Sequence, residues 1–260
     1  YHRGLMLYHL ERFEDASSVL ASALDLDATI FDGWYHLGLA YVHLMNYSEA
    51  ITAFDQAIRL NPRSYDVLFE KGLALSELAD YTTAVSVFGQ AREIDDGKKD
   101  CHYAQGLALS ALGREEEALA AFSRAVSIDP GFSEGSYNKG LALEHLGRYA
   151  EAISAFDNAL AVVPDHSEAW YHRGFAAESL GNDEDAVAAY EKARKNDARN
   201  TEILLREGKA SPGLEISAMR SGFLIQLLLL NLKAGNCCWR KGLPLRISTG
   251  MTRPCRCSGN

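Results

Sequence analysis

Apolar and polar positions along most of the chain fall in blocks that suit pairs of short amphipathic helices. Trp34, Leu37, Gly38 and Tyr41 stand at i, i+3, i+4 and i+7, one face of a helix. Asn46 is expected to break that helix. A second stripe follows in Ala50, Ile51, Phe54, Ala57 and Ile58. Asn61-Pro62 should end it, because proline has no amide hydrogen for the helix ladder and disfavours helical geometry in the residue before it. Gly113, Gly147 and Gly181 occupy the turn inside later blocks, where left-handed backbone ends a helix with little strain.

The blocks repeat. Glycine recurs at Gly4, Gly38, Gly72, Gly106, Gly140, Gly174 and Gly208, always 34 residues apart. Alanine keeps the same step at Ala16, Ala50, Ala84, Ala118, Ala152 and Ala186, and again at Ala23, Ala57, Ala91, Ala125, Ala159 and Ala193. Between them stand Leu20, Phe54, Phe88, Phe122, Phe156 and Tyr190. A fixed step of this length marks a repeat architecture. The small residues let two helix axes approach closely, so a large side chain at Gly106 or Ala118 should force helices apart.

Trp34, Leu37, Gly38, Tyr41, Ala50, Phe54, Ala57 and Pro62 resemble the tetratricopeptide repeat. The resemblance covers residues 1–210: a partial unit over 1–30, whole units at 31–64, 65–98, 99–132, 133–166 and 167–200, and the start of a seventh at 201–210. It implies an all-α, right-handed superhelical solenoid of antiparallel helix pairs, with an irregular tail after it. Departures are modest. His102 and Ser136 replace the bulky first core residue, and the terminal proline stands only at Pro62, Pro130 and Pro164, which should weaken single units without changing the fold.

Such arrays characteristically bind peptides or helices of other proteins on a concave face lined by the first helix of each pair. Carried over position by position, the resemblance places Tyr35, Phe69, Tyr103, Tyr137 and Tyr171 in that groove, with Leu39, Leu73, Leu107, Leu141 and Phe175. An acidic series, Asp32, Asp66, Asp100, Glu134 and Glu168, keeps the same period and continues to Glu202. An aromatic, apolar and negative groove suits a partner segment with Lys or Arg beside apolar residues. Acids near helix starts also favour the helix dipole without any ligand. Where chaperone-tail clamps of this family carry Lys and Asn, this chain has Tyr35 with Leu39 and Tyr137 with Leu141, so a carboxyl-terminal peptide is not the expected ligand.

Charge sharpens this picture. The chain carries 26 Lys+Arg against 35 Asp+Glu, a net of −9, but residues 1–210 hold 19 against 34 and residues 211–260 hold 7 against 1. The array is therefore an acidic surface, which excludes a generic nucleic-acid binder. At 47% hydrophobic and 23% charged, the composition is that of a folded soluble protein. His36, His43, His102, His145, His166 and His172 sit among acids, yet several recur with the repeat, as Tyr35-His36 and Tyr171-His172 show, and so read as scaffold. No convergent constellation differs from unit to unit. Neither catalysis, a cofactor nor a metal is expected.

Ser211-Pro212-Gly213 interrupts the seventh unit, and the period is then lost. The apolar run from Phe223 to Leu230 is far shorter than the ~20 residues of a membrane span, so no membrane insertion is expected. Cys237-Cys238 and Cys255-Arg256-Cys257 lack the spacing that lets two thiolates share a zinc ion. A frame change explains more. Taking the last base of each codon with the first two of the next turns Asn236-Cys237-Cys238-Trp239 into three leucines, where Ile203, Leu204 and Leu205 stand one unit earlier. Lys241 with Gly242 can give glycine, 34 residues after Gly208, and Met219 with Arg220 can give alanine, 34 after Ala186. Residues 211–260 are thus read as repeat sequence in a shifted frame.

Tyr1-His2-Arg3-Gly4 matches Tyr171-His172-Arg173-Gly174, so the chain is expected to begin inside a first helix, as a piece of a longer array without a signal segment. Leu5, Leu7 and Leu10 should then be exposed and favour self-association. A cytoplasmic location is the expectation. Two rival readings stay open: a targeting or regulatory arm of a larger enzyme or sensor, and a membrane-associated assembly factor.

Overall fold

The structure, a computed structural model, describes residues 1–196. Among them are twelve helices and no strand. They form six antiparallel pairs: α1 (His2–His9) with α2 (Phe13–Leu26), α3 (Phe31–His43) with α4 (Tyr47–Leu60), and α5 (Tyr65–Glu77) with α6 (Tyr81–Ile94). Then come α7 (Lys99–Ala111) with α8 (Glu115–Ile128), α9 (Ser133–His145) with α10 (Tyr149–Val162), and α11 (Ser167–Ser179) with α12 (Asp183–Asn196). Each helix packs on the next in sequence, and α1–α3, α3–α5, α5–α7 and α9–α11 also meet. This nearest-neighbour packing is the all-α solenoid that the 34-residue step predicts.

The periodic residues are the core. Phe54, Phe88, Phe122, Phe156 and Tyr190 are buried, and Ala16, Ala50, Ala84, Ala118, Ala152 and Ala186 are all 0% exposed. The glycine series allows the close approach. A methyl group at Gly106 would lie 2.6 Å from Cε1 of Phe122, and one at Gly38, Gly72 or Gly140 would press equally on the ring of Phe54, Phe88 or Phe156. No side chain fits there without moving an aromatic ring that has nowhere to go.

The inner turns use left-handed backbone throughout. Gly113, Gly147 and Gly181 adopt φ of +70°, +71° and +75°, as expected, while Glu11, Met45 and Ala79 take the same conformation in the first three pairs. The break after α3 therefore lies at Met45 (φ 57°) rather than at Asn46. The Asn46 amide donates back to the Tyr41 carbonyl at 2.8 Å, closing the helix end, and Asn46 becomes the residue that precedes α4. The geometry of closure, and not residue type, chooses the position; a non-glycine there bears a modest strain.

At the front of the array, Leu10 is 65% exposed, but Leu5 and Leu7 are half-buried. The outward stripe of α1 is instead Met6 and Leu10, four residues apart. The readings made for residues 201–260, including Glu202 and the tail cysteines, lie outside the described residues.

The bulky core position at the start of each first helix shows the sharpest variation. Trp34 and Trp170 each donate the indole N–H at 2.8 Å to the carbonyl six residues earlier, of Ala28 and of Pro164. His102 does the same through Nε2, 2.9 Å from the Asp96 carbonyl, and is fully buried. Ser136 fills the position in the next unit and is also buried. Cys101, beside His102, is buried, and burial pushes its thiol up to about 11, so it is a packing residue and not a nucleophile.

Candidate binding groove

One face of the odd-numbered helices carries the periodic aromatics. Tyr35 and Leu39 share a stripe of α3, and Phe69 with Leu73, Tyr103 with Leu107, Tyr137 with Leu141, and Tyr171 with Phe175 do the same on α5, α7, α9 and α11. Each ring leans on the large core residue of the paired second helix. Centroid separations are 6.4 Å for Tyr35–Phe54, 6.0 Å for Phe69–Phe88 and 5.9 Å for Tyr103–Phe122. They are 6.0 Å for Tyr137–Phe156 and 5.9 Å for Tyr171–Tyr190. The rings are therefore half-buried, held at one edge by the core and open at the other. Leu107, at 41% exposure, is the barest of the leucine row.

The acidic series meets this face from the next unit. Asp32, Asp66, Glu134 and Glu168 sit exposed in the first turns of α3, α5, α9 and α11. Each raises the pKa of the tyrosine 31 residues before it. Burial first, then Glu70 and Asp66, push Tyr35 up to about 12. Burial, then Glu168 and Glu144, do the same to Tyr137, also to about 12. Tyr103 is raised by burial and by Glu134, and Tyr1 by burial and by Asp32. The hydroxyls stay protonated and stand in a negative field. Asp100 breaks the series: its opposite number, Phe69, has no hydroxyl, and Asp100 acts on Tyr65 instead.

Two histidines that the repeat reading assigned to scaffold, and two residues it did not single out, also join the face. His36 lies with its ring 5.4 Å from Tyr35 and 5.7 Å from Tyr8. Asn138 donates from Nδ2 to the Tyr103 hydroxyl at 3.1 Å. His172 lies 5.1 Å from Tyr171 and 6.0 Å from Tyr137 by ring centroid, and its Nδ1 is 3.1 Å from a Glu144 carboxylate oxygen. A step of four from the acidic residue, Asp32 to His36, would have found this row. Glu70 belongs to it too. It is half-buried, its carboxyl is raised by burial and then by Asp66, and it pairs with no cation among the described residues.

Models of the tetratricopeptide repeat match residues 31–64, 69–133, 103–157 and 137–201, which together span more than half of the chain. The chain belongs to the tetratricopeptide repeat family. Among solved structures, the C-terminal part of a tetratricopeptide repeat-containing protein from Cytophaga hutchinsonii aligns with a TM-score of 0.78 at 15% identity, covering 89% of this chain and 95% of that one. YrrB, described as a tetratricopeptide repeat protein with an unusual peptide-binding site, aligns at 0.67 and 20% identity over 74% of this chain and 99% of its own. MamA from Desulfovibrio magneticus aligns at 0.59 and 19% identity over 70% and 97%. No curated protein matches the chain. At these identities the structural likenesses establish the fold of the array. Among the described residues, no helix is long and apolar enough to cross a membrane.

Proposed function

We propose that the chain is a protein-interaction scaffold whose first-helix face holds a basic, amphipathic segment of a partner protein. The observation that carries this reading is the ladder in which an acid of one unit faces the half-buried tyrosine of the unit before, at Tyr35, Tyr103 and Tyr137. Tyrosine rings offer large contact area with few rotors to freeze, and a cation over such a ring is attracted by its π face. Glu70, half-buried among Tyr35, Tyr8 and Asp66 without a described cation, is the strongest single demand for a positive side chain. A partner Lys or Arg there would favour the ionised form of Glu70 against the burial that disfavours it. The fold is shared with YrrB, described as a peptide-binding protein, which supports the same use of the array.

The test uses the full chain and two synthetic helical peptides, one alternating leucine with lysine and one with glutamate in place of lysine. The lysine peptide should bind, more weakly as salt rises, and the glutamate peptide should not. Tyr103→Ala with Tyr137→Ala should weaken binding by about tenfold or more, since truncating an aromatic anchor removes ~1–3 kcal/mol. Unchanged affinity in that double variant, with helical content intact, removes the groove. We also propose that the array ends near residue 210 and that residues 211–260 are its continuation in a shifted frame; a stop codon in the other frame soon after residue 211 would falsify this.

A further inference from the structure

The residues that directly follow the periodic aromatics of α3, α5, α7, α9 and α11 form a row of their own: His36, Glu70, Ala104, Asn138 and His172. Three of its four polar members are satisfied inside the array. His36 Nδ1 lies 2.7 Å from the Asp32 carbonyl, Asn138 donates to the Tyr103 hydroxyl at 3.1 Å, and His172 Nδ1 lies 3.1 Å from a Glu144 oxygen. Glu70 is the fourth. It is half-buried and has neither a hydrogen-bond partner nor a cation among the described residues. A carboxylate so placed has lost part of its hydration without compensation.

The repeat shows what Glu70 faces. Asn138 and Tyr103 stand two steps after Glu70 and Tyr35, so Glu70 lies across from the Tyr35 hydroxyl as Asn138 lies across from that of Tyr103. Asn138 closes its pair by donating an N–H. No hydrogen bond joins Glu70 to Tyr35, although the charge of Glu70 acts on the hydroxyls of both Tyr35 and Tyr8. Tyr8 reaches this place from α1, its ring centroid 5.7 Å from that of His36, which is 5.4 Å from that of Tyr35. The Tyr8 hydroxyl is 3.3 Å from His43 Nε2 and can donate to it, which leaves its oxygen open as an acceptor. Three acceptor oxygens from three helices, one of them charged, thus border a place that no donor of the described residues occupies.

We propose that this place is a subsite for the primary ammonium of a partner lysine, and that the groove prefers lysine to arginine there. The inference rests on the groove reading above and sharpens it. A lysine ammonium is a compact charge with three donors on a flexible stem, so it can give one hydrogen each to Glu70, Tyr35 and Tyr8. A guanidinium spreads its donors in a planar fork, a shape that suits one carboxylate rather than three oxygens on three helices. Trimethylation of the lysine keeps the charge but removes every donor, so it should weaken the contact to the attraction of a cation for the rings.

Calorimetric titration of the full chain with the alternating leucine–lysine peptide tests this against two peptides of equal charge, one with arginine and one with trimethyl-lysine at every lysine. The lysine peptide should bind about fivefold to tenfold more tightly than either. Glu70→Gln, an isosteric change in a row that already holds Asn138, should lower its affinity about tenfold and bring the three peptides to parity, with no fall in the denaturant midpoint. Tyr35→Phe keeps the ring and should shrink the preference for lysine. Glu134→Gln removes an acid of the same ladder outside the subsite, and should weaken all three peptides alike while keeping their ranking. A preference that is absent, or that survives both Glu70→Gln and Tyr35→Phe, overturns the subsite; the groove reading then still stands if the peptides bind and Tyr103→Ala with Tyr137→Ala weakens them. Failure of all three peptides to bind overturns both. A lower midpoint in Glu70→Gln would make Glu70 a structural residue and also overturns the subsite.

Discussion

The junctions built on Trp34 and Trp170 and the junction built on His102 meet one hydrogen-bonding requirement with different volumes. All three rings donate to the carbonyl six residues earlier, at 2.8, 2.8 and 2.9 Å. The indoles also fill space: Trp34 packs against the cluster of Leu24, Leu37 and Ala53. The imidazole is smaller and fully buried, and polar side chains from three helices gather round it. The hydrogen bond thus recurs wherever the position carries a ring N–H, at Trp34, His102 and Trp170, and is dispensed with where Leu68 stands, whereas the filling belongs to the individual unit. A unit can exchange filling for polar chemistry without leaving the fold.

The largest effects should be the same at both kinds of junction. Phe54→Ala and Phe122→Ala each empty a buried ring site and should each lower stability by about 3–5 kcal/mol, read from denaturant unfolding. A clearly smaller loss for Phe122 would show that the polar junction is already slack. The tryptophan comparison comes next. Trp34→His should cost about 2 kcal/mol or more, below the ~3–5 kcal/mol of truncation to alanine, because the donor survives but the volume does not. His102→Trp puts a larger ring into a fully buried site and should cost about 1–3 kcal/mol; no loss would show that the polar junction has room for an indole.

Smaller effects probe the cluster itself. Gln105→Leu removes one of the two acceptors of Arg92, leaving Asp96, and should destabilise by about 1–3 kcal/mol, in contrast to the apolar junction, where Leu37 already stands at that position. His102 should also give the junction a pH dependence. Burial, the largest influence on it, lowers its value below the ordinary 6.5. The folded state then binds fewer protons than the unfolded chain, so stability is complete above 6.5 and falls as pH drops below it. The Trp34 junction has no such group, and His102→Trp should flatten that part of the stability curve; an unchanged curve would assign it elsewhere. Least of all, Arg148→Ala, which removes an exposed pair with Glu151, should change stability by under about 1 kcal/mol.

Much of this was open to a reader of the residues. The glycine and alanine series, with Phe54, Phe88, Phe122 and Phe156 between them, point to stacked helix pairs because only that packing needs small and large side chains at one fixed step. The aromatic face was legible for the same reason, since Tyr35 and its counterparts keep the period. His36 and Glu70 were harder: their types vary from unit to unit, so a search for recurrence passes over them. The left-handed residue at Met45 was legible only from the step, two periods before Gly113, because turn closure selects it by position and not by type.

By itself the amino-acid sequence determined the array, its units and the stripe each first helix presents, since all of these follow from contacts within one unit or with an identical neighbour. The tertiary structure alone decided which acid faces which tyrosine, and that Arg92, Asp96, His102, Gln105 and Arg124 form one cluster. Those contacts join different helices. Their strength depends on distance and burial, quantities that a linear order of residues does not contain.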